Sequence, residues 1–547
     1  MRYSVEEVAS MMGAQCYGEC RGNVSFLLTD SRSLCFPEET LFFALRSARN
    51  DGQHYIAELY QRGVRRFVVA EVPDRWQANY ADATFLVVGD TLAALQQLAA
   101  RHRQRFTIPV VGITGSNGKT MVKEWLYQLL SPSMFVTRSP RSYNSQIGVP
   151  LSVWLMNEQT QVGVFEAGIS QPGEMLALRD IIQPTIAVLT NVGSAHQENF
   201  SSLEEKCREK LILFHDAETV VYDGDDELIT KVVAEYPDYK GEKLFWSLKN
   251  PEAPFYVKNI EKQQNVSVIT YIYKGEIDSF SIPFIDDASI QNSIISAVVA
   301  SKLGVSAEDI DKRMAKLEPV AMRLEVKVGQ HGCTLINDSY NSDINSLDIA
   351  LDFMNRRPDH RGRRHTLILS DIYQSGLSPE ALYKEVSDLA RKRGVVKFIG
   401  IGPELCQQHD AIQISEKFFF QDVEEFIKSE VFASLRDEVI LLKGARQFGF
   451  DQLTELLVQK VHETTLEVNL NAVVANLNYY RAFMKPETKL VCMIKADGYG
   501  AGAVEIAKTL QDHRVDYLAV AVADEGVTLR KNGITSNIMI MNPEMTA

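Results

Sequence analysis

A glycine-rich loop, Gly-Ile-Thr-Gly-Ser-Asn-Gly-Lys-Thr at 112–120, contains the residue types that bind nucleotide phosphates. It lies between an apolar stretch at 108–111, which predicts a strand, and a helical pattern at 121–130. Glycines let backbone N–H groups surround phosphate oxygens, the lysine reaches the terminal phosphates, and the following hydroxyl can bind Mg²⁺. The loop therefore predicts ATP or GTP chemistry; a turn that merely closes a strand–helix unit is the alternative. The candidate ATP-binding residues of the loop are Gly115, Asn117, Gly118, Lys119 and Thr120.

Polar residues follow two further strand patterns. The apolar run at 162–165 ends in Glu166, and the run at 186–190 leads into the segment 191–196, which ends in His196. In an open parallel sheet, ligands bind beyond the carboxyl ends of the strands. We therefore expect Glu166 and the 191–196 segment to face the phosphate loop.

Strand and helix patterns alternate along the whole chain. This alternation predicts an α/β fold, and 547 residues are too many for one hydrophobic core, so several domains are expected. The first unit, 1–104, has no phosphate loop of its own. Outside the loop region the strand patterns are 67–70, 84–88, 366–369 and 439–442, and the helical patterns of the first unit are 54–62 and 92–101.

The charge of the chain excludes several classes of partner. A net charge of −14 gives no electrostatic footprint for nucleic acid or an anionic membrane. The start of the chain carries Glu6 and Glu7 where a signal peptide needs an apolar core, and no apolar run is long enough to span a bilayer. We expect a cytoplasmic protein that neither binds nucleic acid nor inserts into a membrane.

The seven cysteines do not form a metal-binding pattern. Only Cys16 and Cys20 lie close together in sequence, and no second pair completes a zinc site. We therefore expect reduced structural thiols at Cys16, Cys20, Cys35, Cys207, Cys333, Cys406 and Cys492.

Four segments outside the loop form an ordered set. They read Thr-Asp-Ser-Arg at 29–32, Asp-Gly-Gln-His at 51–54, Asn-Ser-Gln-Ile-Gly-Val-Pro at 144–150 and Asn-Val-Gly-Ser-Ala-His at 191–196. Together with the loop, they resemble motifs of the Mur ligases, the ATP-dependent amide ligases that build the peptidoglycan stem peptide.

This resemblance covers residues 1–461 and implies three domains. They are a UDP-sugar-binding N-terminal domain at 1–104, a central ATP-binding P-loop domain at 105–318 and a Rossmann-like C-terminal domain at 319–461. In the first two, the resemblance implies that Ser31, Arg32 and Asn144 bind the UDP-substrate.

The resemblance also implies a metal-assisted phosphoryl transfer. Divalent ions would neutralise the transferring phosphoryl group and hold the substrate carboxylate in line with it. One Mg²⁺ would be held by Thr120 and Glu166, and a second by His196 and by Lys210 as a carbamate. Lys119, Lys210 and His196 would then be catalytic. The sequence alone favours the alternative that Lys210 is a solvated lysine in a charged helix, because charge runs usually mark exposed faces.

Further ATP-binding residues are implied in the later part of the chain. Asn292 is similar to an adenine-contacting asparagine, although Gln291 replaces the family's histidine. Arg323 is similar to an arginine that reaches the nucleotide from the third domain, and Asp338 begins a segment similar to Asp-Ser-Tyr-Asn-Ala. Closure of that domain would exclude water from the acyl phosphate. A surface ion pair is the alternative for Arg323.

The amino substrate is inferred by exclusion. Ligases of this family that add diaminopimelate carry Asp-Asn-Pro-Arg in the third domain, whereas this chain reads Asn-Ser-Asp-Ile-Asn-Ser at 341–346. This favours the members that add D-alanyl-D-alanine to UDP-N-acetylmuramoyl-tripeptide. The resemblance implies that ATP and Mg²⁺ take part and that the ligase part is monomeric. Lys-Gly-Ala-Arg at 443–446 is similar to the family's Lys-Gly-Ser-Arg. A diaminopimelate- or lysine-adding member, or a folylpolyglutamate-synthase-like ligase, is the alternative.

The tail carries a second resemblance. Leu-Glu-Val-Asn-Leu at 466–470, Met-Ile-Lys-Ala-Asp-Gly-Tyr-Gly at 493–500 and Asp-Glu-Gly at 524–526 are similar to the start of alanine racemase. The resemblance implies the beginning of a TIM barrel at 465–547, with Lys495 as the Schiff-base lysine for pyridoxal phosphate and Tyr499 as a phosphate contact. An ordinary strand lysine is the alternative. A complete fusion would be dimeric and would make the D-alanine that the ligase consumes as a dipeptide.

Two functions from other classes compete with the ligase. A P-loop regulator would not make ATP hydrolysis depend on both UDP-muramoyl tripeptide and dipeptide. A pyridoxal-phosphate racemase with a scaffold in front would bind its cofactor at Lys495.

We predict that the 547-residue chain does not racemise alanine. The segment 465–547 covers only the first strand–helix units of an eight-unit barrel, so we expect an incomplete pocket and a tail that is either loosely folded or an excerpt of a longer natural fusion. Incubation with pyridoxal phosphate and L-alanine, followed by an assay for D-alanine, tests this. Turnover that disappears in Lys495→Ala would contradict the prediction.

Overall fold

The computed structural model has the predicted α/β architecture. It describes residues 1–34, 36–46, 51–140, 142–193, 199–236, 239–263, 266–318, 325–339, 344–356, 362–372, 377–445, 448–459, 468–485 and 487–542. Of the residues singled out above, Cys35, the segment 194–196 with His196, Arg323, the segment 340–343, Arg446 and the segment 466–467 lie outside the described residues.

The N-terminal part contains a five-stranded sheet of order β2-β7-β6-β5-β4. Its neighbours run parallel except for β2, which pairs antiparallel with β7, and the short β1 pairs with β3 outside this sheet. The strands are β1 Tyr3–Ser4, β2 Gln15–Tyr17, β3 Asn23–Val24, β4 Phe26–Leu28, β5 Thr40–Phe43, β6 Arg66–Val69 and β7 Thr84–Val87. The helices are α1 Val5–Met12, α2 Ile56–Gln61, α3 Trp76–Asn79 and α4 Thr91–Arg103.

The thiol prediction is wrong for one pair in this part. Cys16 and Cys20 form a disulfide with their Cα atoms 6.5 Å apart. Gly18, with φ of +93°, turns the chain back between them, which four residues of separation alone did not reveal. Cys207, Cys333, Cys406 and Cys492 are free thiols, and Cys35 lies outside the described residues.

The central part is built on a six-stranded parallel sheet of order β13-β12-β11-β8-β10-β9, followed by a four-stranded sheet of order β14-β15-β16-β17. The strands of the first sheet are β8 Val110–Thr114, β9 Val136–Arg138, β10 Val162–Glu166, β11 Ile186–Leu189, β12 Thr219–Val221 and β13 Glu242–Lys243. Those of the second are β14 Trp246–Ser247, β15 Phe255–Lys262, β16 Ser267–Tyr273 and β17 Glu276–Ile282. The helices are α5 Lys119–Leu130, α6 Gly148–Val153, α7 Glu174–Ile182, α8 Leu203–Leu211, α9 Glu227–Ala234, α10 Asp287–Lys302 and α11 Ala307–Met314.

The order of this sheet decides where the chemistry lies. β8 leads into the phosphate loop, and it pairs on one side with β10 and on the other with β11. Glu166 is the last residue of β10, and β11 ends just before Asn191. The three carboxyl ends therefore meet at one edge of the sheet, as the sequence predicted.

Helix α5 holds the loop in place through its apolar face. Val122, Trp125, Leu126 and Leu129 follow the spacing of one helical face and are fully buried, in the same cluster as Val111 and Ile113 of β8. The indole N–H of Trp125 also donates to the carbonyl of Glu318, 3.1 Å away. The loop at the start of α5 is thus anchored to a rigid layer of the core.

The C-terminal ligase part has another six-stranded sheet, of order β18-β19-β23-β20-β21-β22, parallel except for β18. Its strands are β18 Glu325–Val328, β19 Thr334–Asp338, β20 Arg364–Ser370, β21 Lys397–Ile401, β22 Glu416–Phe420 and β23 Glu438–Lys443. The helices are α12 Ile344–Arg356, α13 Pro379–Lys392, α14 Pro403–Gln407, α15 Val423–Ile427, α16 Glu430–Ala433 and α17 Phe450–Leu457.

The tail forms three strand–helix units around a parallel sheet of order β24-β25-β26. Parallel strands that alternate with helices are what the first part of a TIM barrel requires. The elements are α18 Leu470–Arg481, β24 Val491–Met493, α19 Ala503–Asp512, β25 Tyr517–Val520, α20 Ala523–Lys531 and β26 Asn537–Ile540. Within the described ranges, no helix combines the length and the apolar character needed to cross a bilayer.

Candidate active site

The phosphate loop depends on two glycines that another residue could replace only with backbone strain and a shift of a neighbouring side chain. Gly115 has φ of +144°, and a Cβ there would lie 1.9 Å from the Thr190 hydroxyl oxygen. Gly118 has φ of +84°, and its Cβ would lie 2.4 Å from the side-chain oxygen of Asn292. The left-handed backbone and the close neighbours both favour glycine. Asn292, on α10, is therefore packed directly against the loop.

The segment after β11 holds the loop from the other side. The backbone N–H of Ser116 donates to the Asn191 carbonyl at 2.9 Å, and that of Asn117 donates to the Asn191 side chain at 2.9 Å. Lys119 folds over the same loop, and its Nζ donates to the Gly115 carbonyl at 2.7 Å. Its charge thus lies where a P-loop lysine meets phosphate oxygens.

A buried carboxylate stands beside the first turn of α5. Glu166 is fully buried, and its Oε2 accepts a hydrogen bond from the Thr120 hydroxyl at 3.1 Å and a long one from the Asn144 amide at 3.5 Å. The hydroxyls of Thr120 and Ser142 are 3.1 Å apart. Glu166 Oε1 lies 3.2 Å from the Lys123 ammonium but forms no hydrogen bond with any described residue.

These residues fit a divalent cation. Carboxylate and hydroxyl oxygens are the protein ligands that Mg²⁺ prefers, and a buried oxygen without a hydrogen bond is available to one. Thr120 and Glu166 are brought together as predicted for the first ion. No cluster of three or more His, Cys, Asp or Glu side chains with metal-binding geometry occurs among the described residues. His196, the ligand predicted for the second ion, is outside that part of the chain.

Lys210 is buried, which contradicts the solvated helix-face alternative. The side chain belongs to α8, a helix capped by the Ser202 hydroxyl, and the residue is 2% exposed. Burial, reinforced by the charges of Lys119 and Lys206, lowers the pKa of Lys210 well below its ordinary value. A lowered pKa increases the fraction of the amine that is uncharged, and the uncharged amine is the form that can add CO₂.

The C-terminal ligase part contributes a second buried ion pair. Asp338, the last residue of β19, accepts a hydrogen bond from Lys443 Nζ at 2.7 Å, and both residues are buried. The prediction placed Asp338 with the ATP-binding residues. No described residue of the phosphate loop forms a hydrogen bond or an ion pair with it, so its ATP contact stays a prediction. Lys443 belongs to the Lys-Gly-Ala-Arg segment and was not expected to hold Asp338.

Of the residues predicted to bind the UDP-substrate, Ser31 and Arg32 lie between Asp30 and Ser33, which line a cavity of about 460 Å³, whereas Asn144 lies beside Glu166. Ser31 and Arg32 form a 3₁₀ turn in which the Asp30 carboxylate caps the Arg32 backbone and pairs with its guanidinium at 2.6 Å. The cavity next to this turn is lined by three parts of the chain. These are the N-terminal loop, through Asp30 and Phe36, the central part, through Tyr143 and Trp154, and the tail, through Arg481 and Arg514.

Lys495 and Tyr499 lie at the surface of the described part of the tail. Both side chains are exposed, Tyr499 by 63%, and Ala496, Asp497 and Tyr499 have left-handed φ angles between +51° and +60°. Lys495 follows the carboxyl end of β24, as the resemblance implies. The three described strands do not enclose it, so the residues present do not form a site that fits pyridoxal phosphate.

Sequence reasoning missed Lys123, Glu124 and Lys206. Lys123 and Lys206 are buried, and the Lys206 ammonium donates to the Gly193 carbonyl at 2.5 Å. Lys123 lies three residues after Thr120 and so shares its helix face, a spacing that could have flagged it. A lysine within a helical pattern is nevertheless more typical of a solvated surface.

Comparisons with known proteins agree with this geometry. Residues 113–300 match the Mur ligase middle domain, and residues 468–547 match the alanine racemase N-terminal domain. The chain is 28% identical over 360 residues to UDP-N-acetylmuramoyl-tripeptide–D-alanyl-D-alanine ligase of Bacillus subtilis strain 168, covering 65% of this chain and 75% of that protein. It is 26% identical over 494 residues to the ligase of that name from Treponema pallidum, covering 84% of this chain and 99% of that protein.

Solved structures extend the likeness to the whole ligase fold. The chain superimposes on MurF from Acinetobacter baumannii with a TM-score of 0.72 and 21% identity, covering 83% of this chain and 99% of that one. For the MurF ligase of Thermotoga maritima in complex with ADP, the TM-score is 0.66 and the identity is 22%. The match covers 79% of this chain and 97% of that one. The chain thus has the three-domain Mur ligase fold, followed by a segment similar to alanine racemase.

We predict that Gly118→Ala abolishes ATP binding. The substitution adds left-handed strain of roughly 1–2 kcal/mol and pushes a methyl group into Asn292. Gly304→Ala is the matched control, since Gly304 has φ of +87° but no atom within 4 Å of a Cβ. Calorimetric titration with ATP measures the effect. Equal affinities in the two variants would contradict the prediction.

We predict that Lys210→Ala loses ligase activity and that added short carboxylic acids restore part of it. The acid would replace the anionic carbamate at the end of the Lys210 side chain. Activity is measured as phosphate release with and without acetate or propionate. A fully active variant in the absence of acid would refute this role.

Proposed function

We propose that this protein, an ATP-dependent amide ligase with the Mur ligase fold, joins D-alanyl-D-alanine to UDP-N-acetylmuramoyl-tripeptide in peptidoglycan precursor synthesis. The observation that carries the proposal is the meeting of the phosphate loop and the Glu166 carboxylate at one edge of the central sheet, with the buried Lys210 amine close enough to the loop lysine Lys119 for their charges to interact. The curated relatives named above support the substrate assignment.

The reaction has two steps that the geometry can serve. A carboxylate oxygen of the tripeptide attacks the γ-phosphorus of ATP, and ADP leaves with the electrons of the broken P–O bond. The amine of the dipeptide then attacks the acyl carbon, phosphate leaves, and the amine proton passes to solvent or a base. The loop amides and Lys119 would stabilise the negative charge on the transferring phosphoryl group.

The remaining residues would arrange charge around that phosphoryl group. Thr120 and Glu166 would hold one Mg²⁺, which supplies charge neutralisation between ATP and the substrate carboxylate. Lys210, as a carbamate, and His196 would hold a second. An uncharged Lys210 amine favours carbamate formation, whereas an ammonium would repel the cation.

Other parts of the prediction remain proposals. Arg323 would reach the nucleotide when the third domain closes, Asn292 would contact the adenine, and Ser31, Arg32 and Asn144 would bind the UDP-substrate. The domain boundaries at 104, 318 and 461, the cytoplasmic location, the monomeric ligase part and the dimeric complete fusion also stay predictions. Pyridoxal phosphate would bind at Lys495 only in a complete racemase domain.

A coupled phosphate-release assay tests the function. We expect release only when ATP, UDP-N-acetylmuramoyl-tripeptide and D-alanyl-D-alanine are all present, and none in Lys119→Ala. Diaminopimelate, lysine and glutamate should not replace the dipeptide. Lys312→Ala, which removes an exposed lysine paired with Glu308, is the control and should retain activity. Phosphate release that does not depend on the amino substrate would favour the alternative of a P-loop regulator. Phosphate release with another amine would favour a ligase of different substrate specificity.

A further inference from the structure

We propose that a chain of alternating charges running from Glu166 through Lys123, Glu124 and Arg138 to Asp512 sets how available the Glu166 carboxylate is to a divalent cation. Lys123 and Glu124 are then positioning residues of the ligase, and the racemase-like tail is coupled to the metal site. The inference rests on the proposed function, because that function makes Glu166 a metal ligand.

The five residues form four consecutive ion pairs. Lys123 Nζ lies 3.2 Å from Glu166 Oε1 and 2.8 Å from Glu124 Oε1. The other oxygen of Glu124 lies 3.1 Å from Arg138 Nε. Arg138 Nη1 in turn lies 3.5 Å from Asp512 Oδ1, at the end of α19 in the tail. The charges alternate in sign along the whole path.

Burial makes these charges act strongly on one another. Lys123 and Glu166 are fully buried, and the Glu124 and Arg138 side chains are only 21% and 19% exposed. The Arg138 guanidinium also stacks on Tyr127, 3.5 Å from the ring centre. Burial disfavours the Arg138 cation, but the carboxylates of Glu124 and Asp512 outweigh it and raise the pKa of Arg138. Charge interactions in such surroundings are screened less than at a surface.

Each charged residue between the two ends of the row of ion pairs has two partners that compete for it, and this competition determines whether loss of a charge strengthens or weakens cation binding. Lys123 neutralises Glu166 and so competes with a cation for the same carboxylate. Glu124 also pairs with the Lys123 ammonium and so weakens that competition. Arg138 in turn attracts the Glu124 carboxylate away from Lys123, and Asp512 attracts Arg138 away from Glu124. Loss of the Asp512 charge therefore leaves Arg138 more fully paired with Glu124, Lys123 more fully paired with Glu166, and the cation more weakly bound.

The contacts of Lys123 indicate that it adjusts the charge at Glu166 and does not only fill space in the core. Lys123 Nζ donates to the Ser139 carbonyl at 3.0 Å, while Glu166 Oε1 receives its charge but no hydrogen bond from a described residue. The carboxylate is thus compensated electrostatically, and its oxygen stays open for coordination.

The tail contains a second carboxylate that can serve as a matched control for the effect of Asp512 on cation binding. Asp516, four residues after Asp512, pairs with Lys489 of the tail at 2.8 Å, and it lines the same cavity as Asp512. Asp512→Asn and Asp516→Asn both remove one tail carboxylate charge, but only the first breaks a link of the chain.

The experiment measures Mn²⁺ binding to the full chain with ADP, from the free-ion electron paramagnetic resonance signal. We expect affinity to fall by about tenfold in Glu124→Gln, by about twofold to threefold in Asp512→Asn and not at all in Asp516→Asn, since coupling weakens with each link. Glu124→Asp should restore part of the loss. ADP affinity in the presence of EDTA should be the same in all variants, which a general structural defect would not allow.

The outcomes separate this inference from the proposed function. Glu166→Gln must weaken Mn²⁺ binding; if it does not, Glu166 is no metal ligand and the proposed metal site fails with the chain. If Glu166→Gln behaves as expected while Glu124→Gln and Asp512→Asn both match the unaltered protein, only the chain is overturned. Should Glu124→Gln fail to fold, the comparison of Asp512→Asn with Asp516→Asn decides alone: equal affinities overturn the coupling to the tail.

Discussion

The burial of the Glu166 carboxylate at the carboxyl end of β10 is the constraint on which the site depends. A buried carboxylate must be compensated, and here the Thr120 hydroxyl and the Lys123 ammonium, both from the first turns of α5, do so. Because α5 begins in the phosphate loop, the same contacts fix the loop against β10. The apolar face of α5 and the Trp125 hydrogen bond then transmit this position to the core.

Positive charge is concentrated at the phosphate loop and the segments that surround it. Lys119, Lys123, Lys206 and Lys210 all lie in or near the site, and the last three are buried. Lys123 and Lys206 have partners that stabilise their charge, whereas burial and the neighbouring cations favour the uncharged form of Lys210. A conversion of that amine to an anionic carbamate would relieve the repulsion, which gives a physical reason for a lysine at a place where an ammonium is disfavoured.

The tail contacts the ligase through further polar interactions besides the row of ion pairs that ends at Asp512. Arg514 donates to the Leu155 carbonyl, and the Arg481 guanidinium lies 5.4 Å from the Phe36 ring. These contacts place tail residues in one wall of the cavity beside the Ser31–Ser33 turn. A segment that resembles an enzyme making D-alanine thus lies against the part of the ligase that we propose receives the UDP-substrate.

The sequence by itself determined the α/β class, the phosphate loop, the strand that ends in Glu166 and the meeting of three strand ends, because loop glycines and strand periodicity are local signals. From its residues alone it favoured an exposed Lys210, since charged helix segments usually face solvent, and only the family resemblance pointed to the site. Only the tertiary structure decided that Lys210 is buried and that Lys123, a lysine in an ordinary helical pattern, pairs with Glu166. It also decided the Cys16–Cys20 disulfide and the link from Arg138 to Asp512. Burial and pairing of charges depend on residues distant in sequence, and no local pattern specifies which of them will meet.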